Sequence, residues 1–142
     1  MTTNADLQRA IAMANVLRRG ARVVADRAVE LWLADELSNE DYERVSATYL
    51  ETLRRIQQIT ITASRAAAAD LGPFLDDVEW VLDELEANLD KVDRIKDVLT
   101  IITKMLTVAA TIAVALVAPY TRSAARWAIG DLVQTWVAVA GG

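Results

Sequence analysis

The feature that most constrains this chain is Val98 to Ala118, VLTIITKMLTVAATIAVALVA: twenty-one residues with one charge, Lys104, and neither Gly nor Pro. Crossing the ~30 Å hydrocarbon core of a bilayer takes about 20 predominantly apolar residues in a helix. The segment is therefore either a membrane-embedded helix or the dry centre of a helical bundle. Its flanks suit a membrane interface: charged residues up to Asp97 on one side, then Tyr120, Arg122, Arg126, Trp127 and, further on, Trp136 as candidate interfacial anchors. Lys104 lies seven residues into the run, deep but within reach of snorkelling.

Heptad spacing ties the segment to what precedes it. Val78, Leu85, Val92, Leu99, Leu106 and Ala113 recur every seven residues. Phe74, Val81, Ile95, Ile102, Ala109 and Leu116 form a companion series, with Asn88 its one polar member. A period held this long predicts one continuous helix over 73–118 in a left-handed bundle. It would span roughly 70 Å at 1.5 Å per residue. That exceeds its neighbours, so part of it has to run past them or bend.

On a wheel of 100° per residue, Lys96, Thr100, Thr103, Lys104, Thr107 and Thr111 fall in an arc of about 100°. Glu86, Asp90 and Asp93 continue this side toward the N-terminus. In a soluble bundle the stripe is a solvated or partly covered face. In a bilayer it turns to partner helices, because Thr can bond its own backbone. In an oligomeric pore it lines the lumen, with Lys104 facing water.

Before the long helix, an αα-hairpin is predicted over 3–37 and 40–69. Leu7, Ala14, Ala21 and Ala28 form a small-residue heptad seam, with Ile11, Leu17, Val24 and Leu31 beside it. Gly20, in mid-helix, costs about 1 kcal/mol against Ala and signals close packing. Thr2, Thr3 or Asn4 can cap the first helix, and Ser38 or Asn39 the second. The second helix is expected to bury Tyr42, Val45, Tyr49, Leu53, Ile56, Ile59 or Thr60, and Ala63. Asp70-Leu71-Gly72-Pro73 ends the hairpin, with Pro suited to a first helical turn. Beyond Pro119, a short C-terminal helix over 121–139 carries Ile129, Leu132, Val133, Trp136, Val137 and Val139, interrupted at Gly130-Asp131.

Composition closes off several chemistries. With no Cys and no His, disulfides, zinc, haem and iron–sulfur sites lose their usual ligands, and every His-based mechanism is excluded. The acidic run Asp76, Asp77, Glu79, Asp83, Glu84, Glu86, Asp90 and Asp93 lacks the spacing of a calcium loop and reads as a solvated face. Arg18, Arg19, Arg22, Arg54 and Arg55 form two small basic patches, expected to pair with it, with contact to anionic lipid the alternative. The net charge of −5 argues against nucleic-acid binding. No phosphate loop or nucleophile motif is present, so no enzyme, cofactor or small-molecule substrate is expected. The first residues lack the layout of a cleavable signal peptide, so the expected location is membrane-associated or cytoplasmic.

The chain is thus expected to be all-α: an elongated helical bundle forming one domain over 1–142. Its expected function is non-enzymatic and membrane-active. It anchors or inserts through 98–118 and self-associates, with pore formation within reach. The alternative is a soluble bundle acting as an adaptor or homo-oligomeric subunit, with itself or another helical protein as partner. In outline, long amphipathic helices followed by an apolar helix turning back through a Pro-aromatic corner resemble the layout of α-helical pore-forming proteins. The likeness is one of architecture, with no motif behind it.

Overall fold

The computed structural model describes residues 4–65 and 72–141. It is an all-α bundle of five helices: α1 (Asn4–Leu33), α2 (Asn39–Arg65), α3 (Gly72–Ala87), α4 (Ile95–Val117) and α5 (Arg122–Gly141). Two 3₁₀ turns, Leu89–Lys91 and Pro119–Thr121, precede α4 and α5. The caps considered at Thr2 and Thr3, the predicted end of the second helix and Asp70-Leu71 lie outside the described residues.

Local chemistry builds the α1–α2 hairpin. Asp35 takes a left-handed φ of 59°. Glu36 N–H then reaches back to Leu31 O at 2.8 Å, and Asp35 N–H to Trp32 O at 3.2 Å. This is a Schellman-type stop, in which the left-handed residue is usually Gly. Ser38 caps α2 by accepting from Asp41 N–H at 3.1 Å. Asn39 instead accepts from Trp32 Nε1 at 2.7 Å, and Trp32 stacks on Tyr42 with centroids 4.7 Å apart.

The predicted continuous helix over 73–118 is two antiparallel helices. Gly20 proves the fold-back. A Cβ built on it would sit 2.5 Å from Leu82 Cδ2 and 2.9 Å from Met105 Cε. On one straight helix Leu82 and Met105 would be roughly 35 Å apart. Here α3 and α4 converge on the same point of α1. The break falls where helix propensity is weakest, from Asn88 through Asp93. Asn88 Nδ2 donates to Glu84 O at 2.9 Å, competing with the helical backbone. Arg27 Nε, from α1, donates to Val92 O at 2.8 Å and satisfies a carbonyl the break sets free. Folding in two also resolves the length mismatch: α4, with 23 residues, is comparable to α1 and α2.

Packing centres on α4, which lies against α2, α1 and α5, while α3 closes over α1 and α5. Its fully buried stripe is Val98, Ile101, Ile102, Met105, Val108, Ala109, Ile112 and Leu116, with Ala113 and Ala115 beside it. Leu99 and Leu106, two members of the predicted seam, are only half-buried at its edge. The seam members Ala14, Ala21, Ala28, Val78, Leu85, Val92 and Ala113 are buried, and Leu7 partly so. On α1 the companion series starts at Ala10 rather than Ile11, which faces solvent. Thr52, outside the predicted face of α2, is fully buried, its hydroxyl donating to Thr48 O at 2.7 Å. Gly130-Asp131 does not interrupt α5.

Two stability measurements check this account. Gly20→Ala is expected to lower unfolding free energy by about 1–2 kcal/mol in urea titrations, overpacking against Leu82 outweighing the gain in helix propensity. Asp35→Gly is expected to raise it by about 0.5–1 kcal/mol, because Gly takes the left-handed conformation without strain.

Candidate functional site

The described surface offers three places to look: the outward stripe of α4, the corner joining α4 to α5, and a cleft at the opposite end of α5. The stripe lies on the side of α4 away from its buried residues. Thr103 and Thr107 are exposed, while Thr100, Lys104 and Thr111 are half-buried. Three of the four threonine hydroxyls are used within the helix. Thr100 Oγ1 donates to Lys96 O at 2.7 Å, Thr107 Oγ1 to Thr103 O at 3.2 Å, and Thr111 Oγ1 to Thr107 O at 2.9 Å.

Lys104 has a partner that the sequence reading did not assign. Its Nζ lies 2.6 Å from Asp131 Oδ2 on α5, with a third and a quarter of the two side chains exposed. The pair neutralises two isolated charges and staples α5 along α4. A signal for it was present: these are two of only four charged residues after position 97.

At the corner, Tyr120 is 89% exposed and Trp127 67%, and Val114 and Val117 also face outward. Nearby, Ala110, Thr111, Val114, Thr121 and Ala124 line an open apolar groove of about 310 Å³. Thr121 joins the apolar lining because its hydroxyl donates to Ala118 O at 2.8 Å. Arg126 is exposed, and the Arg122 guanidinium lies 5.7 Å from the centroid of the Phe74 ring, tying α5 to α3. Trp136 is buried in the core, so it is not a surface anchor. Its place on the α5 wheel, in line with Leu132 and Ile129, was the sign of this.

The cleft at the far end, about 580 Å³, is lined by Asp90, Lys91, Asp93, Arg94, Asp97, Val139 and Ala140. Asp97 is buried and held by Arg94 Nε at 3.3 Å. Among the described residues no group of three or more carboxylates is placed to hold a metal ion. Of the basic residues expected to pair with the acidic run, Arg19 does so, with Asp83 at 2.6 Å and Glu86 at 3.2 Å. Arg54 and Arg55 pair within their own helix, to Glu51.

Comparisons of the chain with protein-family models, with curated protein sequences and with solved structures returned no match. The site is therefore read from its geometry.

A double-mutant cycle tests the staple. Lys104→Met and Asp131→Asn are each expected to cost about 1 kcal/mol in urea unfolding, and the double variant less than their sum. The coupling energy should be about 0.5–1 kcal/mol, modest because both groups retain solvent contact. Additive losses would mean that the two residues act independently.

Proposed function

We propose that this protein is a non-enzymatic helical bundle that works by association, with α4 as the core helix of a water-soluble fold. One observation carries this reading: the apolar side of α4 is sheathed by α1, α2 and α5. Its remaining side bears threonines with internally bonded hydroxyls and a lysine neutralised by Asp131. A helix so enclosed has no need of lipid to cover it. Partners are then met through the outer surface, whether a second copy, another helical protein or a bilayer.

The membrane-spanning reading rests on a different observation. Lys96–Val117 is long and apolar enough to cross a bilayer, and half of its most apolar window is not buried. In that form α4 anchors or inserts, with Thr100, Thr103, Lys104, Thr107 and Thr111 turned to partner helices or a pore. Core helices of soluble proteins share this length and composition, so burial is the better guide.

Expression without detergent followed by ultracentrifugation separates the two. The closed bundle is expected in the supernatant as a discrete species by size-exclusion chromatography with light scattering. Sedimentation with membranes, reversed by detergent alone, would favour the span.

A further inference from the structure

We propose that the α4–α5 corner docks the closed bundle onto the surface of an anionic bilayer. Val114, Val117, Tyr120 and Trp127 enter the headgroup layer, while α4 stays in the core. The proposal rests on the closed-bundle reading above.

Chemistry at the corner favours an interface over bulk water. Exposed apolar residues are ordinary when scattered singly. Here two valines on the last turns of α4, a tyrosine at the turn and a tryptophan in the first turns of α5 are all exposed, and Val114 also lines an apolar groove between α4 and α5. Tyrosine and tryptophan, apolar rings with a polar handle, are the side chains that settle at headgroup depth. The valines lack any handle and gain only by leaving water.

Charge selects the kind of bilayer. Around the corner, from Val114 to Gly130, the chain has no acid and two bases, Arg122 and Arg126; Lys104, further back on α4, is paired with Asp131. Residues 1–97 carry seven more acids than bases. Most of the molecule is therefore repelled by an anionic surface, and the corner is the part that can approach it. Arg126 is the exposed cation there and makes no ion pair among the described residues. Asp76 and Asp77, in the first turns of α3 just after Phe74, share this end of the bundle through the Phe74–Arg122 contact. They oppose the attraction, so the apolar side chains carry most of the binding and Arg126 tunes it.

A second copy fits the corner less well. An isologous contact centred on it would bring the Arg126 side chains of two acidic molecules together.

The full-length protein is tested by flotation with vesicles of phosphatidylcholine alone and of an equimolar mixture with phosphatidylglycerol. Wild type is expected to float with the mixed vesicles, not with the neutral ones, and to be released by an alkaline carbonate wash. Val117→Asp combined with Tyr120→Ser should lower partitioning by more than about tenfold. Arg126→Glu should lower it at least about fivefold at low salt, an effect that fades as salt is raised. All three side chains are exposed, and unchanged melting temperatures would establish that the variants fold. Absence of wild-type binding, or equal binding by the variants, overturns the corner as a docking site and leaves the closed bundle standing. A dimer abolished by Val117→Asp without vesicle binding also overturns it, in favour of a second copy. Retention through the carbonate wash overturns the closed-bundle reading and the docking proposal with it.

Discussion

Everything in this bundle follows from the need to keep water off one side of α4. Its buried stripe, from Val98 to Leu116, is aliphatic apart from Met105 and too wide for any one neighbour to cover. Three helices share the task, and each is shaped by it. α1 contributes alanines and Gly20, so that its backbone comes close. α2 brings isoleucines, Ile56 and Ile59, and α5 folds straight back from the Pro119 turn to lie along α4. Two polar groups near this core find partners in different ways, Thr52 in its own preceding turn through Thr48 O and Val92 O across the bundle through Arg27. An unpaired polar group there would cost about as much as a buried side chain gains.

The helical class, the αα-hairpin, the C-terminal helix and most of the core were legible in the residues themselves. Periodicity at positions such as Ala14, Ala21, Val78 and Leu85 reports burial directly. The break between α3 and α4 was not legible by that route. Two antiparallel helices that pack on a common partner each keep a seven-residue period, and chance alignment of the two phases mimics one long helix. The better indicators were Asn88 with its neighbouring aspartates, and a length that α1 and α2 had no means of matching. The phase itself was off by one residue in α4, where the stripe runs through Val98, Met105 and Ile112 rather than Leu99 and Leu106. In so apolar a helix nearly every phase looks acceptable, because few polar residues are there to exclude the wrong ones.

The threonine stripe shows the same limit from the functional side. Threonine with its hydroxyl bonded to the preceding turn is compatible with water, with a partner helix and with lipid. Composition therefore does not distinguish a solvent-facing stripe from a membrane-facing one. In this bundle the stripe has α5 beside it and Asp131 on Lys104, and apolar side chains are left outside at Val117, Tyr120 and Trp127. Trp136 and Trp127, nine residues apart on one helix, illustrate the point. Their chemistry is identical, yet one lies in the core and the other at the surface.

The contact between Lys104 and Asp131 also acts as a register mark. The buried face of α5 is Ala125, Ala128, Ile129, Leu132 and Trp136, and the apolar attraction that holds it is non-directional. Sliding α5 by a single helical turn, about 5.4 Å, would set the ammonium opposite Trp127 or Thr135 and leave both half-buried charges unpaired. One ion pair of small net worth thus indexes a whole hairpin, excluding misaligned packings more than it strengthens the aligned one.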